Sequence, residues 1–168
     1  MNKSYRKLIL TLIILSGVIF FYVFPHQKAA EAIITPSKDK TESIQITGKI
    51  TDQKAAKAGL TLLQQNLQAA NAKDSTAYAD TLIKKAQAAT KKEMDKFFAS
   101  YDLHHELLSF EVIKQEQNQM VIKAQQKTIN QGKEKYRNHI SEARHLFVKE
   151  DGSWKIKETN MADTSFID

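Results

Sequence analysis

Hydrophobic spacing changes once along this chain, at Tyr101-Asp102, and that single change rules out most folds. Before it, apolar residues recur every three or four positions, as a helix with one buried face requires. After it they alternate, as a strand with one buried side requires. A chain that switches period once keeps its helices and strands apart, which makes it α+β and excludes a doubly wound α/β sheet.

On the helical side, Thr51 or Asp52 can cap a long helix. Ala56, Leu60, Leu63, Leu67 and Ala70 form its buried stripe, with Lys54, Lys57, Gln64 and Gln68 turned away. Asn71-Ala72-Lys73-Asp74 breaks it, and Asp74 or Ser75 opens a second, short helix that buries Tyr78, Leu82 and Ala86. Thr90 followed by Glu93 reads as a capping box at the start of a third helix, whose Met94, Phe97 and Phe98 add bulk to the core.

Four strands follow. Leu103 to Lys114 carries Leu108, Phe110 and Val112 on one face, with Leu107, Ser109, Glu111 and Ile113 on the other. Met120 to Thr128 alternates again, a longer strand runs from about Tyr136 to Lys149, and Trp154 and Ile156 face inward from the last. Asp151-Gly152 between the last two is a strong hairpin signal, because the pair accepts the positive φ of a primed turn. The expected fold is one long and two short helices on a curved, antiparallel, four-stranded sheet.

The run Leu8 to Phe24 is uncharged, follows Lys3, Arg6 and Lys7, and stops at Pro25. As a helix its 17 residues reach about 26 Å, at the lower end of what crosses a hydrocarbon core of ~30 Å. The bases mark the cytoplasmic side, and Phe20, Phe21, Tyr22 and Phe24 suit the opposite interface. The reading is a cytoplasmic tail (1–7), a transmembrane signal anchor (8–24), an extracytoplasmic linker (25–50), a folded domain (51–162) and a C-terminal tail (163–168). Ala30-Glu31-Ala32 offers the competing reading of a signal peptide cleaved near Ala32, leaving a secreted domain.

Composition narrows the partners. The net charge of +6 resides half in the first seven residues, leaving 18 bases against 16 acids in 51–168. A balanced surface without charge blocks argues against nucleic-acid binding. With no Cys, disulfide frameworks, thiol nucleophiles and thiolate zinc sites are all excluded. No phosphate-binding loop, dinucleotide fingerprint or nucleophile elbow occurs, and no cofactor is expected. His104 and His105, adjacent on a strand, point to opposite faces, and His139 and His145 are six residues apart. Neither pair can close on one metal ion.

The long leading helix, the Asn71-to-Asp74 break, two short helices and a meander closing on Val148 to Glu158 ("VKEDGSWKIKE") together resemble the nuclear transport factor 2-like superfamily. The resemblance covers about Asp52 to Asn160 and implies a cone, a sheet bent around the long helix with a pocket at the open end. The superfamily includes ketosteroid isomerases and dehydratases besides noncatalytic binding and assembly domains, so fold alone does not choose an activity. Phe97, Tyr101, Phe110, Ile122, Glu142, Arg144 and Trp154 are the candidate pocket-lining residues, with Glu142 and Arg144 a candidate pair for an acidic ligand. Tyr78, Asp102 and His105 match no catalytic motif of the superfamily. No catalytic, cofactor or metal residue is assigned.

The expected function is therefore a noncatalytic extracytoplasmic binding or assembly module. It would be tethered to the cell membrane through 8–24 and would work through an envelope protein partner or self-association. A small-ligand binder or isomerase-like enzyme of the same fold, and an envelope immunity or inhibitor protein, are the alternatives.

Overall fold

A computed structural model describes residues 44–167. The expected tail at 1–7, anchor at 8–24 and most of the linker lie outside them. Among the described residues no helix is long and apolar enough to cross a membrane.

Three helices precede a four-strand meander, and one short strand precedes them all. The elements in chain order are β1 (Ile46–Gly48), α1 (Gln53–Asn71), α2 (Ser75–Asp80), α3 (Lys84–Ser100), β2 (Leu103–Gln115), β3 (Gln119–Asn130), β4 (His139–Glu150) and β5 (Ser153–Phe166). They form one five-stranded sheet in the order β1-β2-β3-β4-β5. The expectation of four strands is thus corrected. β1 lies within the segment read as linker and pairs parallel to β2, Ile46 opposite Phe110. Three residues are too few to announce a strand by alternation. Its pairing is tertiary, with the Lys49 N–H donating to the Val112 carbonyl at 2.7 Å. At the other end β5 runs to Phe166, past the boundary expected at 162.

α1 begins at Asp52, whose carboxylate accepts the Ala55 N–H at 3.0 Å. It stops at Lys73, which adopts φ 56°. There the Lys73 N–H donates to the Ala70 carbonyl and the Asp74 N–H to that of Ala69, the paired bonds of a Schellman end. α2 is capped by Asp74, as expected. α3 is not capped by Thr90. It starts six residues earlier, at Lys84, without a local side-chain cap. Its first amide is instead met by the Glu150 carboxylate at 2.7 Å, from the end of β4. Thr90 sits buried in mid-helix. A cap supplied from 66 residues away leaves no mark in the local sequence.

Four bulges bend the sheet around the helices. In β2 the register shifts between Leu107 and Ser109 and again between Val112 and Lys114. Opposite β4, extra residues fall at Lys157 and Ala162 of β5. A bulge inverts the alternation beyond it. Leu108, expected inside with Phe110 and Val112, is therefore turned out and is 36% exposed, while Leu107 packs against the core. Asp151 (φ 51°) and Gly152 (φ 78°) make the expected tight hairpin turn.

Side-chain amides fix both ends of α1 to β2. At its start, Gln115 Oε1 accepts the N–H groups of Thr51 and Asp52 at 2.8 and 3.0 Å, and Nε2 donates to the Asp52 carbonyl at 2.9 Å. At its end, Asn71 Oδ1 accepts the His105 N–H at 2.7 Å and Nδ2 donates to the His105 carbonyl at 2.9 Å. Each amide takes the place of one residue of a neighbouring strand. Between them Gly59 gives the helix its close approach, since a Cβ there would lie 2.5 Å from Met120 Cε and 3.4 Å from Phe147 Cδ2.

Asn71→Ala should cost about 1–3 kcal/mol by leaving part-buried backbone groups unpaired, and Gln115→Ala, whose partners are exposed to water, only about 0.5–1.5 kcal/mol, both read from urea denaturation. Gly59→Val should cost about 1–3 kcal/mol by overpacking. Added Met120→Ala should recover part of that loss, whereas additive losses would show that Met120 is not what Gly59 accommodates.

Candidate functional site

The inner face of the sheet changes character along its length. At one end Phe110, Val112, Met120, Ile122 and Phe147 are 0–1% exposed and pack with Ala56, Leu63 and Met94 of the helices. At the other, cross-strand neighbours are polar. His105 faces Thr128, which faces His139; Gln126 faces Ser141, which faces Thr164. This polar end, with Leu63, Asn66 and Leu67 of α1 and Met94 and Phe97 of α3, encloses a cavity of about 50 Å³. That volume holds a water or two and falls well short of the ~300–1,000 Å³ of an ordinary ligand pocket.

Three imidazoles border the cavity, each held by one ring nitrogen. His105 Nδ1 is bonded to the Thr128 hydroxyl at 3.1 Å and His145 Nδ1 to the Thr159 hydroxyl at 2.9 Å. His139 Nδ1–H donates to the Arg137 carbonyl at 2.9 Å. Burial pushes His105 down to about 4, helped by the neighbouring His104 and His139. Burial alone pushes His145 down to about 4. At neutral pH both are uncharged and weakly basic. Asn66 completes the polar lining, donating to Thr81 Oγ1 at 2.8 Å, and that hydroxyl donates to the Tyr78 carbonyl at 2.6 Å. No carboxylate lines the cavity. Among the described residues no group of three or more His, Asp or Glu could hold a metal ion.

A run of rings borders the cavity. Phe97 stacks on Tyr101 at 5.1 Å between centroids, Tyr101 meets Tyr136 at 5.5 Å, and Tyr136 meets His139 at 5.8 Å. Phe166 follows, with the Arg137 guanidinium 3.6 Å over its ring. Burial raises the Tyr136 phenol above its ordinary value, with Tyr101 adding to the shift.

The seven candidate residues are dispersed. Phe97 lines the cavity and Tyr101 stands in the ring series above it. Phe110 and Ile122 belong to the apolar end of the core. Glu142 and Arg144 lie on the opposite, outer face of β4, where Glu142 accepts a long bond from Gln125 at 3.4 Å and Arg144 is paired in register with Lys123. Trp154 borders a separate surface groove between α1, α2 and β5. Asp102 forms an ion pair with Lys73 at 3.0 Å. Asn66, Gln126, Thr128, Tyr136 and Thr159 are among the residues gathered at the cavity without having been singled out. Even positions of β3 and odd positions of β4 share the core face, a signal that marks Thr128, His139 and His145. The bulge hides His105.

A strongly bent antiparallel sheet curled around one long helix is the arrangement of the nuclear transport factor 2-like fold, and solved structures agree. A candidate aromatic ring hydroxylase from Novosphingobium aromaticivorans superposes with a TM-score of 0.61 at 16% identity, over 70% of this chain and 96% of the other. A candidate scytalone dehydratase from the same organism gives 0.56 at 12%, over 68% and 88%. A nuclear transport factor 2-like protein of unknown function from Pseudomonas putida gives 0.56 at 10%, over 66% and 87%. At such identities the likeness is one of fold alone. No curated protein matches. The family model for the C-terminal domain of the anti-sigma-I factor RsgI9 matches residues 61–167, more than half of the chain, and the chain belongs to that family.

The neutral histidines make stability depend on pH. The unfolded chain binds protons at the ordinary histidine pKa of about 6.5, whereas folded His105 and His145 do so only near 4. Their contribution is complete above pH 6.5 and is lost as the pH falls toward 4. For fully buried His145 it amounts to something on the order of 3 kcal/mol. His145→Asn, which keeps a donor toward Thr159, should flatten the loss of stability between pH 6.5 and 4, measured by urea titration at each pH. An unchanged slope would show that His145 does not titrate with unfolding.

Proposed function

We propose that the chain is a noncatalytic binding module of a regulatory system, tethered by residues 8–24 with its folded domain outside the cell membrane and acting through a protein partner. The observation that carries the reading is the small interior. A cavity of about 50 Å³, bordered by imidazoles of which His105 and His145 are kept weakly basic by burial, lacks the room that an isomerase or dehydratase substrate needs. An open small-ligand pocket is disfavoured on the same ground. Membership in a family named for an anti-sigma factor favours regulation through protein contact. The basic residues before Leu8 favour the outward orientation.

A sigma factor would be the partner if the domain instead faced the cytoplasm. One experiment separates the two orientations. In membranes from cells expressing the full chain, the protein should resist alkaline carbonate extraction at its unprocessed mass. Added protease should digest the domain in intact spheroplasts. Recovery of a shortened soluble form would favour cleavage near Ala32. Protection from protease until lysis would overturn the outward orientation and bring the sigma-factor partner forward.

A further inference from the structure

α3 presents two unlike sides. Ala86, Thr90, Met94 and Phe98 recur every four residues and are buried. On the opposite side Lys85, Ala88, Lys92 and Lys96 recur at three and four residues and are exposed, so they form one ridge along the helix. The helix holds five lysines, Lys84, Lys85, Lys91, Lys92 and Lys96, against two acids, Glu93 and Asp95. Asp95 is committed to Lys91, at 3.2 Å, and to the Ser75 hydroxyl. Glu93 reaches Lys96 only at 4.0 Å. Among the described residues Lys84, Lys85 and Lys92 have no ion pair.

The excess of positive charge continues past the helix. Tyr136 meets Tyr101 at the C-terminal end of α3, and the connection to which Tyr136 belongs carries exposed Lys133 and Lys135 against Glu134. Elsewhere bases lie beside acids, as Lys123 does beside Glu111 on the sheet and Lys73 beside Asp102.

We propose that this lysine ridge docks the domain on the anionic phospholipid headgroups of the membrane that holds the chain. The inference rests on the tether proposed above. Residues 25–43, however arranged, reach at most about 70 Å, roughly twice the width of a domain of this size. A domain tethered at 8–24 is therefore confined beside one bilayer, and its ridge meets headgroups at high effective concentration. Charge complementarity supplies the preference for α3. Each lysine brought to an anionic leaflet raises the docked population about fivefold, and three raise it on the order of a hundredfold. Ala88 and Ala89, between the lysines, are too small to enter the acyl region, so the attachment is one of charge and is lost in salt. Docking through α3 also sets the direction of the domain. The helices cover the inner side of the sheet, so the outer face, with Leu108, Glu142 and Arg144, turns away from the bilayer and stays open to a protein partner.

The chain has no cysteine, so one introduced cysteine carries one fluorophore. The full chain would be reconstituted in nanodiscs with an acceptor dye on the headgroups, and labelled at Ala88→Cys on the ridge or at Leu108→Cys on the outer face. Energy transfer from position 88 should be roughly twofold higher or more in discs containing phosphatidylglycerol than in discs of phosphatidylcholine alone, and transfer from position 108 should not rise. High salt should return position 88 to its value in neutral discs. Lys85→Gln with Lys92→Gln and Lys96→Gln should do the same while leaving the urea midpoint unchanged, since all three positions are exposed. Equal transfer in the two kinds of disc, or a difference that survives the triple substitution, would overturn the proposal. So would a ridge that binds soluble polyphosphate and ignores the discs. If the chain separates from the discs at its full mass, the tether itself fails. The soluble full chain must then show the same lysine-dependent transfer to phosphatidylglycerol vesicles, and its absence would overturn the docking face as well.

Discussion

The placement of α1 against β2 is the constraint on which the remaining structure depends. A helix laid across a sheet normally leaves a gap the width of its side chains. Here Gly59 removes one side chain where Met120 and Phe147 come up from the sheet. The Gln115 and Asn71 amides hold the two ends of the helix to the backbone of β2 and its approach. With the helix fixed at both ends and close at the middle, the sheet must bend to keep contact with it. The bulges in β2 and β5 allow that bend. They also decide which side chains enter the interior, so curvature and site composition share one cause.

The interior inherits a gradient from this geometry. Where the helix is closest, only tightly packed apolar residues fit, and Phe110, Met120 and Phe147 are essentially without exposure. Where the sheet curls away, the space is filled by polar side chains, and among the described residues the fully buried Ser141 hydroxyl has no hydrogen-bond partner. Each of the three imidazoles there is committed through Nδ1 to a neighbouring hydroxyl or carbonyl. Burial then holds His105 and His145 neutral, which makes this end a packed polar core. The rings from Phe97 to Phe166 border it.

Much of this was legible in sequence, and what was missed has physical reasons. Alternation identified β3, with Met120 to Thr128 alternating as observed, and the presence of β4, because neither strand contains an extra residue of its own. In β2 the same alternation misplaced Leu108, since a single bulge inverts parity and nothing in the Leu107-Leu108-Ser109 sequence announces it. Thr90 and Glu93 resemble a helix start locally, but the amide at Lys84 is met by Glu150 from the far end of β4. β1 was invisible because its stability comes from β2. Glu142 and Arg144 were expected at the pocket and do share a face of β4, but parity with the inward-facing Ala143 and His145 makes that face the outer one.

Among the described residues both sheet edges are partly covered, by different devices. β1 and the Asn71 amide occupy parts of the free edge of β2. On β5, the Thr81–Ile83 segment pairs with Ile156, and beyond it two bulges interrupt the ladder. Such edges resist the addition of another strand. The outer face of the sheet is no freer of charge. Glu111, Lys123 and Arg144 cross it in one row, with Lys123 and Glu111 paired at 2.6 Å. An apolar partner would have to desolvate that row at its centre. Covered edge segments and a charged outer face together disfavour backbone pairing and broad apolar burial there, and favour contact through side chains.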